Sequence, residues 1–402
     1  MKSKILTRSL STLLILVISA FISLNAQETD NDIGLEFTAI KDIPTTSVKS
    51  QGGSSTCWCF AMTSFIETEA MRMGNGTHDL SEMYTVYHTY LGKANRWVRL
   101  HRYDIANFPP GGALNDVPDM MELYGCVPEE VYDGLEYGSE RHSHGEIHKV
   151  LKSYLETIST KRQYNSRSES YENAAYISPM WEKGFRALLN EWLGEIPGEF
   201  NYRGKSYTPL SFASSLGFDR DNYVLLSSFN HVPFYKEFVI EVPDNWSQGT
   251  AYNLPVDEFA EIIENSVMKG YSVAWASDMG DQFTASAGGV WMLPDAEGVD
   301  KMKPEEKKAL FDEPMAQKEV TQEMRQKGYD GFYTTDDHAM HLVGLARDQD
   351  GNKYYRVKNS WGLQGPFEGY QYASEEFVVY KSTSVLVHKD VLPRQLKNKL
   401  GL

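Results

Sequence analysis

The chain has 402 residues, 41% hydrophobic and 12% aromatic, enough apolar material to bury a sizeable core and to exclude intrinsic disorder. Its 55 acidic residues outnumber 39 basic ones, giving a formal charge of −16, so the surface repels phosphate backbones and nucleic-acid partners are excluded. Three cysteines, Cys57, Cys59 and Cys126, exclude a disulfide framework.

At the N-terminus, Lys2, Lys4 and Arg8 precede an apolar run from Leu13 to Leu24, and small Ala26 stands before polar Gln27, Glu28 and Thr29. This layout predicts a secretory signal peptide over residues 1–26, cleaved near Ala26. The run is shorter than the ~20 residues that span a bilayer, so an exported protein with no stable membrane anchor is expected, periplasmic or secreted. Cleavage would remove three cations and no acid, making the remainder more acidic still.

Next comes a glycine- and hydroxyl-rich loop, Gln51-Gly52-Gly53-Ser54-Ser55-Thr56, and then a helical pattern over 57–74 carried by Phe60, Met62, Ile66 and Met71. Cys57 therefore opens a helix, where unpaired N–H groups favour a thiolate. Further helices are predicted at 80–94, 114–125, 145–158, 178–193 and 255–269, with a break at Pro109-Pro110-Gly111-Gly112. Strands are predicted at 270–277, 341–347, 354–358 and 384–388. The order is helical early and strand-rich late, an α+β chain with a natural cleft between two lobes.

His142, His144 and His148 stand near Glu146, but no second ligand group has matching spacing. They read as a solvated helix start, and neither metal nor cofactor is expected. Cys59 reads as a buried residue beside Cys57, with a Cys59–Cys126 disulfide as the alternative.

Attack by a thiol on a carbonyl needs a base, a group to orient that base, and donors for the oxyanion. Gln51 lies six residues before Cys57-Trp58; Asp337-His338-Ala339-Met340 leads into a strand; Lys358-Asn359-Ser360-Trp361-Gly362 follows. His341 competes with His338, but three positions along a strand it faces the other way. These segments, in this order, resemble the signatures of the papain-like cysteine peptidases. His338 lies 281 residues beyond Cys57, against about 130–150 in papain and the cathepsins. That excess resembles the bleomycin hydrolase (aminopeptidase C) branch, with a mainly helical insertion at about 130–290. Leu80-Ser81-Glu82-Met83-Tyr84, Tyr124-Gly125-Cys126-Val127-Pro128 and Tyr207-Thr208-Pro209-Leu210-Ser211-Phe212 fit the same branch.

The resemblance implies a papain-like catalytic domain over 27–402, with a helical lobe, a strand-rich β-barrel-like lobe and an active-site cleft between them. It implies Cys57 as nucleophile, His338 as its base in a thiolate–imidazolium pair, and Asn359 orienting the imidazole under the shield of Trp361. Gln51 and the Cys57 N–H would form the oxyanion hole, and Gly111-Gly112 would leave room for a substrate backbone. Peptide substrates follow, as does a homo-oligomeric (hexameric) assembly. In that branch a C-terminal arm presents its carboxylate to the substrate's amino group. Here Lys397-Asn398-Lys399-Leu400-Gly401-Leu402 does not resemble that arm. Aminopeptidase action is expected, with an unrestricted endopeptidase as the alternative; a non-catalytic peptide binder is the third reading, opposed by the intact Gln51, Cys57, His338 and Asn359.

Overall fold

A computed structural model describes residues 33–100, 108–160 and 180–402, and the expected signal peptide lies outside them. Residues 33–402 form one unit. Strand β1 (Thr38–Asp42) leads to helices α1 (Cys57–Arg72), α2 (Glu82–Leu100), α3 (Asp116–Tyr124), α4 (Gly145–Thr160) and α5 (Met180–Leu193). A hairpin, β2 (Phe200–Tyr202) with β3 (Lys205–Tyr207), precedes α6 (Pro209–Ser215), β4 (Tyr223–Ser227), β5 (Glu237–Val239) and β6 (Thr250–Asn253). Then come α7 (Val256–Met268), β7 (Val273–Ser277), β8 (Ala285–Ala287), β9 (Val290–Met292), α8 (Pro304–Lys308) and α9 (Gln322–Asp330). The chain closes with β10 (His338–Arg347), β11 (Lys353–Lys358), β12 (Tyr370–Ser374), α10 (Glu375–Lys381), β13 (Ser382–His388) and α11 (Arg394–Leu400).

Among the described residues, two large hydrophobic cores and a smaller third one around Ile33, Val290 and Phe311 hold these elements. Met62, Tyr90, Leu151, Phe185 and Leu189 belong to a core shared by α1, α2, α4 and α5. Ile262, Trp275, Leu342, Val385 and Leu396 belong to a second one, where α7 and α11 cover the sheet. Helix α1 lies between, packed on β10 and β7 as well as on α2. Its residues from Trp58 to Ala70 are all buried, so the helix has no solvent face and its apolar pattern is nearly continuous.

The sheet runs β5-β6-β4-β13-β7-β10-β11-β12-β9-β8, with β1 on β10. It mixes antiparallel pairs with parallel β4–β6 and β9–β12 pairs. The strand-rich lobe is therefore an open sheet among the described residues rather than a closed barrel. Residues 130–290 contribute helices α4 to α7 and also β4 and β7, which pair with β13 in mid-sheet. Helix α2 continues to Leu100, beyond its predicted end at 94, because buried Val98 prolongs the apolar stripe.

The expected solvated start of α4 is corrected. His142 and His144 are 8% and 2% exposed, because this segment is clamped to the loop before α1. Gly53 N–H donates to His142 O (2.7 Å), and His144 N–H donates to Gly53 O (3.1 Å). His144 Nδ1 meets the Tyr90 hydroxyl at 3.1 Å, and His148 Nε2 meets Phe108 O at 2.5 Å. Burial, with His142 and His148 beside it, pushes His144 down to about 3. The unfolded imidazole takes up a proton below pH ~6.5 and the folded one does not, so this residue costs stability as pH falls below ~6.5. Buried Glu82 and Asp116 have raised folded pKa values and act with the opposite sign, so the histidine is read as a difference. The stability advantage of wild type over His144→Gln should shrink by about 2 kcal/mol between pH 7 and pH 5 in urea titrations. A constant advantage would rule this out.

Candidate active site

The loop before α1 is shaped by its glycines. Gly52 has φ +56°, and a Cβ there would fall 2.4 Å from His142 O, so a larger residue would break the clamp to that segment. Ser54 Oγ and Thr56 Oγ1 lie 2.5 Å apart, and α1 begins at once with half-buried Cys57. Trp58 Nε1 donates to Pro110 O at 3.4 Å, which brings the Pro-Gly break alongside the helix that Cys57 opens.

From the other lobe, His338 is the first residue of β10 and Asn359 follows β11. Asn359 Oδ1 accepts the Ser360 N–H (2.8 Å), which identifies it as the oxygen. Its 2.8 Å contact with His338 Nε2 is therefore an Nε2–H donation, leaving Nδ1 as the ring's acceptor. Asn359 Nδ2 donates to Gln371 Oε1 at 2.8 Å, so the orienting amide is itself held. Trp361 lies over the His338 ring, centroids 5.1 Å apart and planes at 25°, one face against the histidine and 39% of its surface exposed. Gln51 is tied to the same segment: its N–H donates to Ser360 O (2.8 Å), and its Oε1 accepts from Ser360 Oγ (2.7 Å). That bond turns the amide so that Nε2 stays available as a donor. His341 is buried elsewhere, with Nδ1 3.0 Å from Ser64 Oγ.

Cys57 and His338 line one cavity together with Gly112, Leu114, Leu225, Ile240, Val242, Ala276 and the carboxylates Asp244 and Asp336. Burial pushes the thiol up to about 11 despite the opposing backbone groups of Ala339 and Trp58, and Asp244 and Asp337 add to the rise. Burial likewise lowers His338, against the pull of Asn359. Each group alone is thus driven towards its neutral form. The glycine break does not leave the open space expected of it. A Cβ on Gly111 would fall 1.8 Å from Asp244 Oδ2, and one on Gly112 would fall 2.7 Å from Asp116 Oδ2 and 2.8 Å from Trp58. The missing side chains make room for these groups, although Gly112 still lines the cavity.

Beneath the cavity lies a set of buried charges that pattern reading of the sequence missed. Lys358, next to Asn359, donates to Ser64 Oγ of α1 at 2.8 Å and to Thr46 Oγ1 at 3.0 Å. Glu67 of α1 accepts the Leu80 N–H at 2.8 Å and the Thr46 hydroxyl. Lys49 pairs with Glu82 of α2 at 3.1 Å. The segment bearing Asn359 is thereby fastened to the helix bearing Cys57. Two glutamates, Glu67 and Glu69, inside the buried run of α1 were the available signal. Cys59 and Cys126 are buried free thiols, not a disulfide.

The profile of the Peptidase C1-like family matches residues 19–401. "Aminopeptidase C" of Lactobacillus delbrueckii subsp. lactis is 25% identical over 413 residues, covering 92% of this chain and 86% of that protein. "Cysteine proteinase 1, mitochondrial" of Saccharomyces cerevisiae (strain YJM789) is 22% identical over 414 residues, covering 93% and 80%. Among solved structures, pepw from Lactobacillus rhamnosis hn001 has the same fold, with a TM-score of 0.71 at 21% identity over 97% of this chain and 90% of that one.

Proposed function

The chain belongs to the Peptidase C1-like family and is a cysteine peptidase, and on that footing we propose that it is an aminopeptidase working through Cys57, His338 and Asn359. The observation that carries the assignment is the His338 Nε2–Asn359 Oδ1 hydrogen bond, which leaves Nδ1 as acceptor in a cavity shared with Cys57. The thiol proton passes to Nδ1 as sulfur attacks the scissile carbonyl, so the two charges arise together in a site that disfavours either alone. Gln51 Nε2–H and the Cys57 N–H stabilise the oxyanion. Protonated His338 then returns its proton to the leaving amine, and the same imidazole activates water against the thioester. Release of N-terminal residues is supported by the relatives bearing the name Aminopeptidase C.

The rival reading is an endopeptidase. The last helix, α11, turns Leu396 and Leu400 into the sheet core, and Leu402 lines a different cavity from Cys57. One fluorogenic peptide decides between them. Hydrolysis with a free amino terminus, absent after acetylation and stopped by iodoacetamide, is expected of the aminopeptidase. Equal cleavage of both forms would make it an endopeptidase, and no cleavage of any peptide would overturn the catalytic assignment. The basic start, short apolar run and Ala26 support export; the recovered protein should then begin near Gln27 by N-terminal sequencing.

A further inference from the structure

The Cys57 cavity contains more negative charge than it contains partners. Asp116 is satisfied: it accepts from Ala113 N–H (2.9 Å), Trp246 Nε1 (2.7 Å) and Ser247 Oγ (3.2 Å). Asp336 accepts the Asp244 N–H at 2.9 Å. The Asp244 carboxylate, pressed on the Cα of Gly111, has no hydrogen-bond donor among the described residues, although it is half-buried. The neighbouring cation is Lys93, whose ammonium is spent on Pro109 O (2.9 Å) and Gly111 O and is shared electrostatically between Asp116 and Asp244. Burial and the Asp336 charge push Asp244 up to about 7, the behaviour of a carboxylate short of a counter-ion.

Resting on the peptidase reading above, we propose that Asp244 is the receptor for the protonated α-amino group of the peptide, which it holds at the acidic end of the cavity shared with Cys57 and His338. The aliphatic wall of Leu225, Ile240 and Val242 then takes the side chain of the bound residue. An ammonium supplies what the cavity lacks, a cation with donors for the idle carboxylate oxygens. Selection of an amino terminus is thereby built into the cavity wall, on the segment between β5 and β6.

The test is binding, measured by calorimetry in the Cys57→Ala background so that no turnover intervenes. A free-amine peptide should bind about 10–100-fold more tightly than its acetylated form. Asp244→Asn, which keeps the shape, should bring the two within about 3-fold. A gap that survives Asp244→Asn, or no gap before it, overturns the proposal. An acetylated peptide whose lysine side chain restores tight, Asp244-dependent binding would overturn the assignment to the α-amine. Should Asp244→Asn fail to fold, Asp336→Asn on the same wall is expected to narrow the gap, and an unchanged gap there counts against the proposal. An inactive wild type with an intact gap would sink the catalytic reading alone; an active one without a gap would sink only this inference.

Discussion

Replacing Cys57 with alanine is expected to lower kcat/KM for peptide hydrolysis by at least about 10⁴-fold, because the bond-forming atom is removed and the remaining groups act only as a unit with it. The fold should survive. Cys57 is half-buried at a helix start, and alanine is a good helix former. Circular dichroism and the urea midpoint should therefore change little. The same residue should account for native thiol reactivity, since Cys59 and Cys126 are 0% and 5% exposed. Iodoacetamide is expected to add one group to the folded wild type, none to folded Cys57→Ala, and three to unfolded wild type. Retained hydrolysis in Cys57→Ala would remove the thiol from the mechanism.

The second large effect concerns stability. Arg325, in α9, is 1% exposed and donates to Ser228 O (3.1 Å), Ser382 O (2.8 Å) and Val379 O. Burial pushes its guanidinium down to about 9. The rings of Phe229 and Phe259 lie 5.3 and 5.1 Å from its central carbon, so the cation is held by carbonyls and aromatic faces rather than by a carboxylate. Arg325→Met fills much of the volume but takes the donors from four main-chain carbonyls, those of Ser228, Val379, Tyr380 and Ser382. The expected loss is about 3–5 kcal/mol, read from chemical denaturation. Arg325→Lys should recover only part of it, since a single ammonium does not reproduce the fork. A loss below about 1 kcal/mol would mean that water replaces the guanidinium without cost. The Val379, Tyr380 and Ser382 carbonyls belong to the joint between α10 and β13, and β13 pairs with β7, which pairs with β10. A loosened joint therefore reaches the strand that starts at His338.

How far the sequence reveals this arrangement depends on how local each signal is. Helix α1 starts at Cys57 as read, because the glycine-rich loop and the apolar run both mark the boundary. Strand alternation parts His338 from His341: one lines the cavity and the other meets Ser64. The short strands β5, β6 and β9 carry too few residues for a period to register, and their pairing is non-local. Buried His142 and His144 and half-buried His148 resembled surface because their partners, Gly53, Tyr90 and Phe108, are distant in sequence. Asp244 was invisible for the same reason. A single Asp in a Pro-Asp-Asn loop acquires meaning only when Gly111 and Cys57 are folded against it.

Helix α1 belongs to the first core yet also rests on β10 and β7, so it joins the helical packing to the sheet. Its head carries the thiol, one side belongs to the helical packing, and the other rests on the strand that presents the imidazole. A chain in which only one half has collapsed holds Cys57 apart from His338. On the proposed roles, hydrolytic activity is expected to appear only once the helical packing and the sheet have both docked on α1.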